Sequence, residues 1–208
     1  MARIIAILSD FGFSDNYLGI MKGVIKKISP FADIIDLNNN IKHGDIQSAA
    51  YQLQTAYNYF PDNTIFLCVV DPEVGSERRA IAIETTNKFF IAPDNGLLTP
   101  IIQNEKINIA VELNNPKFQN KNISNTFHGR DIFAPIAAYL AQKMELDEIG
   151  KIISSDTIKL MENLPKLDDN SIEGKIIHTD NFGNLISNIH LDDEFKKKRN
   201  KQDNSCRI

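Results

Sequence analysis

The sequence predicts an α/β fold: a three-layer domain built on a mainly parallel sheet, followed by the start of a small, apparently truncated β domain. Two observations support the sheet. Short apolar runs alternate along the chain with segments whose apolar residues recur every three or four positions, which is typical of strands joined by helices. The apolar runs are also nearly continuous, as expected for parallel strands that are buried on both faces.

The first part of the chain carries two strand–helix pairs. RIIAILSD at 3–10 and ADIIDL at 32–37 are the predicted strands. Each precedes an amphipathic helix, and the first helix ends before Pro30, which cannot continue it. The apolar faces of the helices comprise Leu18, Met21, Val24, Ile25 and Ile28 in the first, and Ile46, Ala49, Ala50, Leu53, Ala56 and Tyr57 in the second.

More strands and a last helix complete the predicted α/β domain, which covers residues 1–152. TIFLCVV at 64–70 is the third strand, RAIAIET and KFFIAP are two strands joined through Thr86 and Asn87, and NIAVEL at 108–113 is another. The last helix tolerates Pro135 because this residue lies in its first turn. Its apolar positions are Ile132, Ile136, Leu140 and Met144.

The composition becomes polar after this domain. Residues 153–170, with Pro165 and an Asp-Asp-Asn cluster, predict a linker. For residues 171–208 we expect an incomplete C-terminal β domain and a polar tail. A turn at 181–184 interrupts the strand alternation, and EFKKKRNKQDNSCRI has no apolar pattern that would complete a sheet.

Composition and charge exclude several kinds of partner. The 208-residue chain has a net charge of -4, so it has no basic surface for nucleic acid. No stretch approaches the ~18 apolar residues of a membrane span. Cys68 and Cys206 form neither a disulfide framework nor a metal-ligand spacing. We therefore expect a soluble, cytoplasmic protein with no nucleic-acid or membrane partner.

Polar clusters follow several of the predicted strands. Asp10 comes after the first strand, Asp71 after the third and PDNG at 93–96 after the fifth. Ligands bind at the carboxyl ends of parallel strands, and carboxylates gathered there with Arg and His are costly unless they are paired or used. We expect one site from five clusters: LSDFGFSDNY, VVDPEVGSERR, APDNGLL, TFHGRDIFAP and HTDNFGNLISN.

The residue types in these clusters favour a ligand with a sugar and no phosphate. Asp10 can accept both hydroxyls of a ribose, and the sequence contains no glycine-rich phosphate loop. Asp15 can bind an ammonium group or serve the helix dipole. Asp71, Arg78 and His128 together can hold a water and assist its deprotonation. His43, His178 and His190 show no partner pattern, and we expect them to be structural.

A metal-dependent hydrolase is an alternative interpretation of the same side chains. Arg78, Arg79 and Arg130 count against it, because they neutralise the charge that a divalent ion would otherwise balance. We therefore predict no metal. The ligands that such a site would draw on are Asp10, Asp15, Asp71, Asp94, Asp131 and His128.

Taken together, the motifs resemble those of the S-adenosyl-L-methionine hydroxide adenosyltransferases, which are adenosine-forming SAM hydrolases related to the fluorinase and chlorinase enzymes. The resemblance covers about residues 3 to 190, and five motifs match in order. They are SDFGFSDNYLGIMKGVI, VVDPEVGSERR, APDNGLLTP, TFHGRDIFAPIAAYLA and TDNFGNLISNI.

The resemblance implies that residues 1–152 bind SAM and catalyse its hydrolysis without a cofactor. An activated water attacks the ribose C5′ and releases adenosine and L-methionine. The implied catalytic residues are Asp71, Arg78 and His128, with Arg78 favouring hydroxide and the other two available to accept its proton. The implied substrate contacts are Asp10 to the ribose, Asp15 and Asp180 near the methionine ammonium, Asn184 to adenine, and Phe127 and Phe182 against the nucleoside.

Three further expectations follow from the resemblance. In the family a complete β domain closes the pocket of a neighbouring subunit, which implies a homotrimer with the site at the subunit interface. Because the predicted β domain here is short, a truncated SAM-binding protein with little or no hydrolase activity stays open as an alternative. A SAM-dependent halogenase is disfavoured, because the halogenase relatives carry Tyr where Asp71 and His128 stand and Ser where Gly129 stands.

Overall fold

The computed structural model describes residues 3–162, 165–167 and 171–189. The chain divides into two compact units, Met1–Met161 and Glu162–Ile208, and the division falls inside the predicted linker. Residues 190–208, which include His190 and all of the predicted polar tail, lie outside the described residues.

The first unit contains a seven-stranded sheet among its described residues, with strand order β2-β1-β3-β5-β4-β6-β7. β1, β2, β3 and β5 pair in parallel, whereas β4 is antiparallel to both β5 and β6, and β7 is antiparallel to β6. The mainly parallel sheet is thus confirmed. The strands are β1 Ile4–Ser9, β2 Asp33–Asn38, β3 Ile65–Val69, β4 Ala80–Thr85, β5 Phe89–Pro93, β6 Ile107–Glu112 and β7 Lys151–Ile152.

Helices cover both faces of the sheet and make the three layers. Ile5 and Ile7 of β1 belong to an apolar cluster that includes residues of α1, α4 and α5. Ala6 and Leu8 belong to a second cluster with residues of α2 and α3. Because neighbouring residues of β1 face opposite layers and are fully buried, this strand needs a continuous apolar sequence. The helices are α1 Tyr17–Ile28, α2 Ile46–Ala56, α3 Thr99–Asn104, α4 Ala134–Ala141 and α5 Leu146–Ile149.

The predicted last helix consists of two parts. Residues Gly129–Phe133 form a π-helical turn, and α4 continues from Ala134 with Pro135 in its first turn, as predicted. The π turn begins directly after His128 and therefore fixes the backbone position of that residue. π turns inside helices occur frequently at functional sites.

Residues 153–161 fall in the predicted linker but belong to the first unit. Ile158 is buried in the second apolar cluster, and the backbone N–H of Met161 donates to Oγ1 of Thr99 at 2.8 Å. Arg79 donates to the carbonyl oxygen of Thr157 at 2.5 Å. These contacts hold the segment against the α/β unit.

The second unit, in its described part, contains two small antiparallel pairs. β8 Lys166–Leu167 pairs with β9 Ile172–Glu173, and β10 Ile176–Thr179 pairs with β11 Leu185–Ser187. The predicted turn at 181–184 connects β10 to β11, and Gly183 in it has a φ of 86°, a left-handed conformation that favours glycine. None of the helices in the described residues is long and apolar enough to cross a lipid bilayer.

Candidate active site

A cleft of about 550 Å³ lies where β1 and β3 end. Its lining comes from residues 10–17, His43, residues 69–74 and residues 124–130. This is the edge of the sheet at which the sequence predicted a site, because the carboxyl ends of parallel strands meet there. Of the residues proposed from the sequence, Asp10, Asp15, Asp71, Phe127 and His128 line the cleft.

Arg78 joins Asp71 to His128. Its Nε lies 3.0 Å from each carboxylate oxygen of Asp71, and its Nη2 lies 2.5 Å from Oδ2 of the same group. The same Nη2 lies 2.7 Å from Nδ1 of His128. The side chains of Arg78 and Asp71 are only 5% and 6% exposed, so this charge-assisted contact is shielded from water and stronger than a surface pair.

The contact with Arg78 determines which nitrogen of His128 carries the proton. A guanidinium group donates hydrogen bonds and cannot accept them, so Nδ1 must supply a lone pair to Nη2. The neutral ring then carries its hydrogen on Nε2. Burial lowers the pKa of His128 below its ordinary value of 6.5, and the charge of Arg78 lowers it further, while Asp71 and Asp131 act in the opposite direction. His128 is therefore a neutral hydrogen-bond donor at Nε2 near pH 7.

The turn that carries Asp71 and Arg78 packs closely on the chain before His128. Gly75 has a φ of 81°, and a Cβ at this position would clash with the carbonyl oxygen of Asn125. Glycine both permits the left-handed conformation and leaves room for the backbone of Asn125. This close approach brings the side chain of Arg78 within reach of His128.

Asp131 anchors the other side of the same loop. It accepts hydrogen bonds from the side chains of Arg130 and Asn120 and from the backbone N–H of Ser124. Burial alone raises the pKa of Asp131, but these hydrogen bonds and the charge of Arg130 outweigh burial and lower the pKa to about 2. Asp131 is thus ionised and ties residues 120–124 to the π turn that follows His128.

Asp10 lies at the end of β1 with a nearly buried carboxylate. Its Oδ2 accepts a hydrogen bond from the backbone N–H of Gly44 at 2.9 Å and lies 3.1 Å from Nδ1 of His43. The carboxylate is 5% exposed, whereas the His43 side chain is 87% exposed. Backbone hydrogen bonds from Gly12 to Asn39 and from Ile41 to Ser9 hold the loop of His43 beside the end of β1.

Aromatic side chains form part of the cleft wall. The ring of Phe127 packs edge-on against Phe11 and Tyr17, with centroid distances of 5.9 and 5.2 Å. The guanidinium of Arg130 lies 5.0 Å from the centroid of Phe127. Gly129 sits beside this cluster, and a Cβ there would lie 3.1 Å from both Phe11 and Met21. A larger residue at position 129 would displace Phe11 and alter the shape of the cleft.

The PDNG motif supports the site from outside the cleft. Asp94 accepts hydrogen bonds from Arg79 and from the backbone N–H of Lys159. The side chain of Asn95 donates to the carbonyl oxygen of Val70 at 2.9 Å, directly before Asp71. The motif therefore fixes the end of β3 and leaves Asp71 to face the cleft.

Glu73 lies in the turn between Asp71 and Arg78. The left-handed residue of this turn is Gly75, and Glu73 has an ordinary negative φ. Its carboxylate lies 3.5 Å from Nζ of Lys159. The backbone of the turn thus accommodates Glu73 without strain.

The remaining substrate-binding candidates lie in the second unit, at the turn after β10. Oδ1 of Asp180 accepts the backbone N–H groups of Phe182 and Asn184, and its Oδ2 accepts the side-chain amide of Asn184 at 2.7 Å. These hydrogen bonds from Asn184 and Phe182 lower the pKa of Asp180. Phe182 is 92% exposed. Asp180 and Asn184 thus stabilise the turn, and their roles toward a substrate stay predictions.

The described residues contain no group of three or more His, Cys, Asp or Glu side chains arranged to hold a metal ion. Two of the carboxylates considered as ligands, Asp94 and Asp131, are instead paired with Arg79 and Arg130.

Comparison with known proteins decides the family. Residues 5–150 match the model of the SAM hydroxide adenosyltransferase N-terminal domain. The chain belongs to the SAM hydroxide adenosyltransferase family. A protein named (R)-S-adenosyl-L-methionine hydrolase from Methanocaldococcus jannaschii is 36% identical over 200 residues, which cover 91% of this chain and 68% of that protein. A protein of the same name from Thermus thermophilus is 34% identical, covering 90% of this chain and 74% of that protein.

Solved structures agree with this assignment. A crystal structure of an uncharacterized conserved protein from Thermotoga maritima matches with a TM-score of 0.83 and 37% identity, covering 93% of this chain and 74% of that one. More distant relatives include a fluorinase from an Actinoplanes species, 29% identical over 91% of this chain and 72% of that protein. The resemblance predicted from the motifs is therefore confirmed.

Two features of this SAM hydroxide adenosyltransferase family member could not be predicted from its motifs. His43, which we expected to be structural, lies in the cleft wall next to Asp10. The close packing of Gly75 on Asn125 is likewise a contact between distant stretches. The sequence signal for the first was weak: a His-Gly pair just ahead of Asp45, which caps the N-terminus of α2.

Proposed function

We propose that the chain hydrolyses S-adenosyl-L-methionine to adenosine and L-methionine at this cleft. The observation that carries the proposal is the buried Arg78 bonded at once to Asp71 and His128, two residues of the cleft wall. The named relatives act on the (R) epimer, and we propose the same substrate here.

The chemistry requires help for the nucleophile and little help for the leaving group. The oxygen of a water forms a bond to the ribose C5′ while the bond from C5′ to the sulfonium sulfur breaks and its electron pair stays on sulfur. Methionine leaves as a neutral thioether, so no acid has to protonate it. The water must lose a proton during the step, and a positioned base supplies this assistance.

We assign Asp71 as the base that accepts the proton of the water. Its carboxylate has about four lone-pair positions, which exceeds what the contacts with Arg78 use. His128 cannot accept the proton at Nδ1, because that lone pair is bonded to Arg78. In our proposal the Nε2–H of His128 donates to the water oxygen and aligns it, and Arg78 holds both partners in place and stabilises the developing charge.

The other predicted residues bind the substrate in this proposal. Asp10 accepts the ribose hydroxyls, Phe127 packs against the nucleoside, and Asp15 lies near the methionine ammonium. From the family resemblance alone we also propose Asp180 as a contact near the methionine ammonium, Phe182 as packing against the nucleoside and Asn184 as a contact to adenine. We also propose that the protein works in the cytoplasm as a homotrimer with its sites at subunit interfaces. Light scattering after size-exclusion chromatography measures the molar mass of the assembly and so tests the trimer.

Incubation with SAM in water enriched in oxygen-18 tests the proposed function. We expect equimolar adenosine and methionine by chromatography, with one labelled oxygen in the adenosine, and no loss of rate on addition of a chelator. A protein that binds SAM without releasing adenosine would refute the hydrolase. Loss of activity on chelation would support the metal-dependent alternative, and a halogenated nucleoside formed in halide buffer would support the halogenase.

A further inference from the structure

His43 reaches the carboxylate of Asp10 from the solvent side of the cleft. Its Nδ1 lies 3.1 Å from Oδ2, and 87% of its side chain is exposed while the carboxylate is 5% exposed. The exposed imidazole therefore contacts a carboxylate that is largely buried but still lines the cleft. A hydrogen bond to an ionised partner is stronger than one between neutral groups.

The backbone around His43 is fixed, so this contact does not depend on a freely moving loop. Gly44 donates its N–H to the same oxygen at 2.9 Å. It has a φ of 72°, and a Cβ there would lie 3.4 Å from the Cβ of Pro72. Asp45 accepts the backbone N–H of Ser48 and caps α2. The loop is thus held by the helix that follows it and lies close to the turn after Asp71.

Both contacts reach Oδ2 of Asp10, and Asp10 lines the cleft. Two donors on one oxygen fix the rotation of the carboxylate plane. A carboxylate held in this way can accept two neighbouring hydroxyl groups without first losing rotational freedom, which increases affinity.

From this geometry we propose that His43 is a positioning residue that acts through Asp10 and sets the affinity for the ribose of the substrate. The inference deepens the proposed function and rests on its assignment of Asp10 to the ribose. His43 contacts Asp10 and is not itself a catalytic residue. His43 contributes only to substrate binding, so removing its imidazole should raise KM and leave kcat unchanged.

The chain offers matched variants for a test. His43→Leu removes the donor, whereas His43→Asn keeps an N–H donor at the position of Nδ1. Lys42→Ala removes an exposed charge from the neighbouring position without touching Asp10. Since the His43 side chain is largely exposed, all three variants are expected to fold like the parent chain, which thermal unfolding checks.

Calorimetric titration with adenosine measures the effect without requiring turnover. We expect His43→Leu to weaken adenosine binding about tenfold, and His43→Asn and Lys42→Ala to stay within about twofold of the parent chain. The weakening should vanish with 2′,3′-dideoxyadenosine, which lacks the hydroxyls that Asp10 would accept. With SAM, His43→Leu should raise KM about tenfold at constant kcat.

The inference is overturned if the parent chain does not bind adenosine, or if His43→Leu binds adenosine with the parent's affinity. It is also overturned if His43→Leu weakens the binding of the dideoxy compound as much as that of adenosine. It is also overturned if His43→Asn binds adenosine as poorly as His43→Leu. The proposed function fails separately. If adenosine binding depends on His43 but the chain releases no adenosine from SAM, this inference stands and the hydrolase is refuted.

Discussion

A single nitrogen atom, Nη2 of Arg78, determines the chemistry of two neighbouring residues. It donates to Oδ2 of Asp71 and to Nδ1 of His128. Because arginine stays protonated at all ordinary pH values, this contact persists only while His128 keeps its Nδ1 lone pair. The three side chains are therefore polarised in one direction, with Asp71 as the acceptor at one end and the Nε2–H of His128 as a donor at the other.

The pH dependence of turnover tests this polarity. Burial and the charge of Arg78 lower the pKa of His128 from its ordinary value of 6.5, so the ring is protonated with a midpoint below pH 6.5. Protonation at still lower pH would place a hydrogen on Nδ1 against Arg78 and break the contact. We expect kcat/KM to fall toward acid pH with a midpoint below 6.5. An acidic limb centred above pH 6.5 would contradict the assignment.

At the scale of elements, the strands of the first unit could be predicted because their burial demands apolar sequence. β1, β3 and β5 are buried along most of their length, so each predicted run matches its strand to within one or two residues. α3, α5 and β7 were beyond prediction, because they have only 6, 4 and 2 residues. Elements of this size are shorter than the stretches of about 11–18 residues for a helix and about 4–8 residues for a strand over which such patterns are recognised.

The residues of the site likewise fall into those that local sequence patterns predict and those that depend on how distant loops pack. Asp10, Asp71 and His128 were predictable because each directly follows a strand or precedes a helix, where side chains of an α/β sheet meet ligands. The contact of His43 with Asp10 depends on how the loop before α2 folds back over β1, and no local pattern records it. The packing of two loops at Gly75 has the same origin.

The turn between β3 and β4 depends on Gly75. In Gly75→Ala the added Cβ meets the carbonyl of Asn125 and the residue must keep a left-handed backbone. We expect a loss of about 2 kcal/mol in the free energy of unfolding, together with a large fall in kcat because Arg78 moves away from His128. Urea unfolding and turnover with SAM measure the two effects.

Gly23→Ala is the matched control for this prediction. Gly23 lies in α1 and is exposed, and a methyl group added to its Cα would point into open space. The substitution should stabilise the chain by about 0.5–1 kcal/mol, because alanine is the better helix former, and leave turnover unchanged. Equal stability of Gly75→Ala and the parent chain would show that the two loops do not need their close approach.

At the scale of the whole molecule, the fold brings the three proposed catalytic residues together from separate stretches. Arg78 follows Asp71 by 7 positions, and His128 lies 50 positions beyond Arg78. The sheet fixes Asp71 just after the end of β3 and Arg78 just before the start of β4. The π turn before α4 fixes His128. Family membership, which rests on residues 5–150, places this assembly in the part of the chain that matches the family model.

The single-turnover rate of adenosine release by Asp71→Asn tests the central claim most directly. Asparagine keeps the shape of the side chain but cannot take up the proton of the water. If Asp71 is the base, the rate should fall at least about 100-fold while the affinity for adenosine stays within about threefold of the parent chain. Release of adenosine at the parent rate would contradict the account, because the proton would then have another acceptor.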